Sequence, residues 1–338
     1  MAGKSAHVTF RQIAKASGFA VATVSYALRG DPKIPPATIA RVQAAAEKMG
    51  YRPNPRVAAL MAHIRRARSV ATGERIAFIW LARPGPYQRT HHGARQRAEQ
   101  LGYELEDFAV RDRVADPRRL ERILRTRRIT GVVLSPLDPG ESSFSLDWDW
   151  SRFAPAIIGN AVCTPELHHA GHHHFGAMRL ALQKLIGGGR RRIAAIIEGE
   201  VNERARRAWS AAFLEHHPAR ASARRWLQSI DTVDAQGLRR WLAAVKPDSL
   251  ITTRDMLRRI EAAGINLREE IAETVLLNWT PATAEYGGID QSEEVIAAHA
   301  VDLVVGQLHH NECGAPEHVK MLLFPGKWVE AVGKLQTV

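Results

Sequence analysis

Cysteine is almost missing. The 338 residues hold two, Cys163 and Cys313, set 150 positions apart with no partner at metal-ligand spacing. A disulfide framework or a structural zinc site is therefore not expected, and both read as buried thiols. Long apolar runs are also lacking: none approaches the roughly 18 residues that a membrane span requires. Lys4, His7 and Arg11 stand where a signal peptide would place an apolar stretch, which points to a cytoplasmic protein with no membrane partner. What is present is globular material, 45% hydrophobic and 24% charged, and this excludes disorder, collagen and a mini-protein scaffold. The length suffices for two or three packed units.

Acidic residues are scarce in one place only. Residues 1–70 carry twelve Lys and Arg against two acids, Asp31 and Glu47, a net charge of +10, whereas the remaining 268 residues carry 35 basic and 33 acidic side chains. A compact basic head on a nearly neutral body is the footprint of a polyanion-binding module joined to something with a different task. Before any motif is read, a basic tail that only aids solubility is the bland alternative.

The segment from Val8 to Gly50 resolves into three short helices. Thr9 and Gln12 match a capping box, and Ile13 with Ala14 forms an inward face before Gly18 supplies a stop. Residues 21–29 place Val24, Ala27 and Leu28 on one side and Ala22, Ser25, Tyr26 and Arg29 on the other, until Gly30 ends the run. A third helix starts near Pro36, keeps Ile39, Val42, Ala46 and Met49 on one stripe and stops at Gly50. Two helices joined by a Gly-containing turn are a helix-turn-helix. That spacing alone is common, but here the bundle is basic, terminal and followed by the break Tyr51-Arg52-Pro53-Asn54-Pro55 and a short segment, Arg56 to Arg68. The combination favours DNA binding.

The string Val8-Thr9, Ile13-Ala14, Ser17-Gly18, Thr23-Val24-Ser25, Thr38 to Gly50 and Tyr51-Arg52-Pro53-Asn54 leading to Leu60 resembles the LacI/GalR (lactose-repressor/galactose-repressor) family of bacterial transcription regulators. The resemblance implies that the second helix enters the major groove, with Val21, Ala22 and Tyr26 at base-reading positions and Thr23 and Ser25 at phosphates. Thr9, Arg29, Tyr51 and Asn54 complete the implied DNA-binding set. Leu60 aligns with the hinge leucine that wedges into a central base step and kinks the duplex. Departures from the pattern are Ala20 where a Ser commonly caps the second helix, Ala22 and Tyr26 where long polar residues or Arg are frequent, and Pro55 and Met61 near the wedge. None of the three base-reading residues can make the bidentate Arg-to-guanine contact, so the operator sequence is not legible here.

From Arg75 onward strands alternate with helices. Ile76–Leu81, Ile129–Leu134, Ala156–Ile158, Ile193–Ile197, Ser249–Thr252 and Thr274–Leu277 read as buried parallel strands. Helical stretches run Gly93–Leu101, Arg118–Arg128, Phe175–Ile186, Glu203–Glu215, Gln236–Val245, Met256–Ala263 and Glu293–His309. Such alternation demands a doubly wound α/β architecture. The resemblance implies two periplasmic-binding-protein-like lobes with Rossmann-like parallel sheets. It divides the chain into an all-α helix-turn-helix domain (1–52), a hinge helix and linker (53–73) and a two-lobe effector-binding and dimerisation domain (74–338), with lobe 1 near 74–170 and 292–322 and lobe 2 near 171–291 and 323–338.

Ligands bind doubly wound sheets outside the carboxyl ends of their strands. That rule nominates Arg83, Tyr87, Ser135, Asp138, Asn160, Arg204, Arg206, Arg254, Asn278 and Gln291 as effector-binding residues. Against the family pattern the pocket has diverged. A sugar-gripping Arg four residues before an aromatic, here Trp209, is replaced by Ala205 between Arg204 and Arg206; a late Asp is Asn278; and an Asp-Asn pair is His172-His173.

Enzyme chemistry finds little support. His168, His169, His172, His173 and His174 invite a metal reading, but no Cys, Asp or HExxH-type helix completes it, and the segment looks like a strand end running into an interlobe crossing. Gly187-Gly188-Gly189 follows a helix and precedes a strand, the wrong order for a phosphate cradle. Asp147-Trp148-Asp149 reads as a loop rather than a pair of catalytic acids. No catalytic residue, metal or cofactor is nominated. The expected protein is a homodimeric regulator, a repressor by family pattern, of a pseudo-palindromic double-stranded operator, controlled by a sugar-like effector. The alternative is a solute-binding or sugar-processing enzyme with a basic head appended.

Overall fold

The computed structural model describes residues 8–28, 34–51, 74–81, 87–110, 117–138, 141 and 143–332. Arg29, Asn54, Leu60 and Arg83, and the hinge segment expected at 53–73, lie outside them.

The head is built of α1 (Phe10–Ser17), α2 (Val21–Ala27) and α3 (Pro36–Lys48). Thr9 and Gln12 close a reciprocal capping box at the start of α1, the Thr9 amide donating to Gln12 Oε1 at 2.7 Å. Gly18 ends it at a φ of 77°, a left-handed conformation that carries no steric cost for glycine. Pro36 occupies the first turn of α3, where its missing N–H has no helical partner to lose. Helices this short are marginal alone. Ile13, Ala14, Val24, Ala27, Val42 and Ala46 bury one face of each against the others, and the ring of Tyr51 closes the end of this core 5.8 Å from that of Phe10.

Lobe 1 alternates β1 (Arg75–Trp80), α4 (Gln88–Gln100), β2 (Glu104–Ala109), α5 (Pro117–Thr126), β3 (Gly131–Leu134), β4 (Ser143–Ser145), β5 (Ala154–Ile158), β6 (Val162–Thr164) and β7 (His168–His172). Its main sheet has the order β2-β1-β3-β5-β7, all parallel. Both faces are covered, which is why β1, β3 and β5 read as continuous apolar runs. At the edge, β2 fully buries only Leu105 and leaves Glu104, Asp107 and Ala109 exposed, and that largely polar pattern hid it from a search for apolar runs.

The chain then enters lobe 2: α6 (His174–Gly187), β8 (Ile193–Ile197), α7 (Gly199–Arg204), α8 (Ala208–His216), β9 (Leu227–Ser229), α9 (Ala235–Val245), β10 (Ser249–Thr252), α10 (Arg254–Ala262), α11 (Leu267–Glu270), β11 (Thr274–Trp279) and β12 (Gly287–Asp290). The single helix expected at Glu203–Glu215 is two. Arg206 and Arg207 both take left-handed backbone, at φ 53° and 57°, and break it between α7 and α8.

A second passage brings α12 (Glu293–His310) back to lobe 1, where β13 (Met321–Phe324) adds to β7 in parallel. A third delivers β14 (Lys327–Val329) to lobe 2, antiparallel beside β12, completing the order β14-β12-β11-β10-β8-β9. Three strands of chain therefore join the lobes. α12 lies so close to α4 that a Cβ on Gly93 would collide with the Glu294 backbone. Beside this contact Arg89 of α4 binds Glu294 at 2.6 Å and Asp290, at the end of β12, at 3.2 Å, fastening the second passage. Cys163 is buried as expected, but Cys313 is exposed in the loop after α12.

Candidate functional site

In the head, the α2 residues facing away from the core form one candidate site. Val24 and Ala27 are buried, while Val21 and Tyr26 are 43% and 46% exposed and Ala22 is exposed beside them. Large apolar side chains left in water on a helix of a small basic bundle mark a contact surface rather than a packing face. Thr23 and Ser25 are half-buried on the flanks. Thr9 acts as the α1 cap and Tyr51 packs in the core, so these two nominated residues have structural tasks as well.

The second site is a cleft of about 300 Å³ between the lobes, at the carboxyl ends of both sheets. Doubly wound folds place it there because the loops after the strands converge at that end. Lobe 1 contributes Tyr87 at the start of α4, Leu137 after β3 and Asn160 after β5. Lobe 2 contributes Glu198 after β8, Arg204 at the end of α7, Thr253 and Arg254 after β10, and Asn278 within β11. His172, His174, Gln291 and Glu293 come from the passages between the lobes.

Several of these groups hold each other in place. Thr253 caps α10 by accepting from the Met256 amide at 3.2 Å and donates to the Glu198 carboxylate at 2.6 Å. Asn278 Oδ1 accepts from the Arg254 amide at 2.7 Å, and Gln291 Nε2 donates to the Leu277 carbonyl at 2.8 Å. Tyr87 donates its hydroxyl to the Leu137 carbonyl at 2.7 Å, and burial pushes its pKa up to about 12, so it stays a donor at every ordinary pH. Burial also raises the pKa values of Glu198 and Glu293. It depresses His172 to about 4 and His174 well below the usual imidazole range, so both rings are neutral near pH 7.

Other groups are left without a partner. Trp209 Nε1, Arg254 Nε, His172 Nδ1 and His174 Nδ1 are shut off from solvent and have no hydrogen-bond partner among the described residues. Buried polar atoms are seldom left this way, and four in the lining of one cleft point to a missing ligand.

Of the nominated effector residues, the structure brings Tyr87, Asn160, Arg204, Arg254, Asn278 and Gln291 into this lining. Ser135 is not in it. Its hydroxyl, fully buried, accepts from the Leu81 amide at 2.9 Å and knits the ends of β1 and β3 together, while the adjoining Pro136 and Leu137 reach the cleft. Arg206 is also outside. The left-handed turn after α7 re-aims it toward Glu166 on lobe 1, 3.6 Å away. Asp138 contributes a backbone carbonyl, 3.5 Å from Arg204 Nη1, and its side chain is not part of the lining. Sequence reasoning missed Glu198, Thr253, Glu293, His172 and His174. The first two directly follow β8 and β10, so the strand-end rule contained the signal.

A basic three-helix head and a two-lobe body with an interlobe cleft define the class of ligand-responsive DNA-binding regulators. Residues 9–54 match the family model described as bacterial regulatory proteins, lacI family. The chain is 26% identical, over 91% of its own length and 91% of the relative's, to the HTH-type transcriptional regulator PtxS of Pseudomonas plecoglossicida. Among solved structures it resembles the transcriptional regulator CelR in complex with cellobiose, at a TM-score of 0.55 and 20% identity over 97% of this chain and 100% of the other. It also resembles the lac repressor dimer bound to operator and the anti-inducer ONPF, at a TM-score of 0.52 and 16% identity over 96% of this chain and 98% of the other. The head is thus a lacI-family helix-turn-helix, and over most of its length the chain is similar to transcriptional regulators.

Proposed function

We propose that the protein is a dimeric repressor-type regulator whose α2 reads a pseudo-palindromic operator and whose cleft takes a small hydroxylated molecule of the sugar class. The cleft carries this reading. It sets unpartnered N–H groups, Trp209 Nε1 and Arg254 Nε, near carboxylates of Glu198 and Glu293 that accept hydrogen bonds, and a polyol supplies acceptors and donors together from each hydroxyl. The cellobiose in the CelR complex is a ligand of that chemistry. Tyr87, Asn160, Arg204, Arg254, Asn278 and Gln291 are its proposed contacts.

Two heads are needed because one such bundle covers too little DNA to choose a site among genomic competitors, whereas a dimer combines two half-sites. The lac repressor neighbour is a dimer on its operator. Ligand affects DNA only if it binds the two lobe arrangements unequally, and the coupling then acts in both directions. Thr9, Val21, Ala22, Thr23, Ser25, Tyr26 and Tyr51 are the proposed DNA contacts among the described residues. The test is selection of bound fragments from random duplex DNA, followed by binding of the selected duplex with and without a panel of sugars. One enriched palindrome whose affinity responds to one sugar supports the reading; hydrolysis of a sugar with no site preference on DNA would reject it.

A further inference from the structure

Beside the cleft lies a second chamber of about 240 Å³, and the two share Asn160, Ala161, His172 and His174 as lining. Its chemistry differs. The cleft is lined by several carboxylates and guanidinium groups, whereas this chamber has the Arg206–Glu166 pair and histidines beside an apolar wall of Val162, Leu167, Phe175, Met321 and Leu323. Three of these are exposed to an unusual degree, Val162 at 46% and Met321 and Leu323 at 41% each. Among the described residues, the exposed large apolar side chains are Val21 and Tyr26 on α2, Val162, Met321 and Leu323 in this chamber, and the scattered Val295 and Val332.

Strand β13 shows why they are exposed. Its even positions, Leu322 and Phe324, pack against the core of lobe 1, and its odd positions, Met321 and Leu323, turn outward into the chamber and join no core cluster. The shared lining is itself incomplete. The two imidazoles lie with ring centroids 5.7 Å apart, and each keeps an unpartnered, solvent-shielded Nδ1. The cleft alone stands at the lower limit of the roughly 300–1,000 Å³ usual for ligand sites, whereas the two chambers together fall well inside it.

We infer that the ligand has two parts: a hydroxylated ring in the cleft and an apolar, ring-sized substituent, such as the aryl group of a glycoside, in the side chamber, with His172 and His174 at the junction. This rests on the reading of the cleft as a sugar-class site and narrows it. A polar second sugar would leave Met321, Leu323 and Val162 no better covered than water does, and a flat apolar group removes them from water.

The experiment titrates the intact chain by calorimetry with methyl and phenyl glycosides of glucose, galactose, mannose and xylose, and repeats the best pair on a Met321→Gln/Leu323→Gln variant. The phenyl member is expected to bind at least about tenfold more tightly than its methyl partner, and the variant is expected to reduce that ratio to about twofold or less. Equal affinities for phenyl and methyl members of a sugar that does bind would overturn this inference and leave the cleft reading standing. No binding by any member would overturn both. An aryl preference that survives in the variant, or a variant whose sedimentation shows a changed oligomeric state with ligand preference intact, would also overturn the inference, the latter by making the face a protein contact.

Discussion

Arg204, on lobe 2, reaches across the cleft and donates from Nη1 to the backbone carbonyl of Glu141, on lobe 1, at 2.7 Å. The same side chain lines the cleft, so one guanidinium both bridges the lobes and stands in the ligand's path. A charged donor on a carbonyl is worth more than a neutral pair, because the charge strengthens the bond.

Replacement of Arg204 by Met keeps much of the stem and removes the bridge. The ligand-free Arg204→Met protein is expected to show a larger radius of gyration by small-angle scattering and a weaker response to the sugar that the native protein binds, by about tenfold for a lost charged contact. A scattering curve and an affinity both identical to the native protein's would show that the bridge has no role in closing the cleft.

Thr253 connects packing to the site, since one hydroxyl caps α10 and holds the buried Glu198 carboxylate. Thr253→Val preserves shape and removes both bonds. It is expected to cost roughly 1–3 kcal/mol, the sum of a lost cap and a buried acceptor left unpaired. Urea unfolding should show a lower midpoint at an unchanged slope; an unshifted midpoint would contradict the arrangement.

Part of the pH dependence of stability follows from His172, alongside His168, His169, His174 and His217, which burial also depresses. Burial holds the His172 pKa at about 4 against an ordinary 6.5, so between those values the unfolded chain binds a proton that the folded chain refuses. This contribution to stability is present above pH 6.5 and is lost as pH falls toward 4. His172→Gln removes the titration. Its stability profile should be flatter than the native one across that interval, and a native profile already flat there would place His172 in an ordinary, hydrated environment.

On the DNA face, Tyr26→Ala takes away an exposed side chain that supports no core packing. Affinity for the selected operator is expected to fall about tenfold or more, as for a lost base contact, with thermal stability nearly unchanged. The salt slope should stay the same because no phosphate-neutralising charge is removed. An unaltered operator affinity would show that α2 does not read the bases at this position.

Much of the architecture was legible because it rests on local signals. Thr9 with Gln12, Gly18 and Pro36 mark helix ends by their own chemistry, and the doubly buried strands β3, β5 and β8 are apolar throughout, as β1 is from Ile76 onward. The edge strand β2 was not legible, since it fully buries only Leu105 and its charges look like loop. The cleft was legible at polar residues just past a strand, as Asn160 and Arg254 are. Ser135 obeys the same rule and fails because its small hydroxyl is consumed by the Leu81 amide. Arg206 fails because its direction is set by two consecutive left-handed residues, a backbone choice that two arginines do not advertise. His172 and His174 were read as chain running between lobes, which they are; that this passage also forms the cleft wall depends on long-range packing.

The most direct measurement is fluorescence anisotropy of the intact protein on its selected operator and on a scrambled duplex of equal length, at moderate salt, with and without the sugar proposed for the cleft, alongside an Arg254→Ala control. The expected result is preference for the operator, a shift in operator affinity when the sugar is added, and loss of that shift in Arg254→Ala with the operator preference retained. Identical isotherms for the two duplexes, or an operator affinity that ignores a saturating cleft ligand, would contradict the coupling of head to cleft.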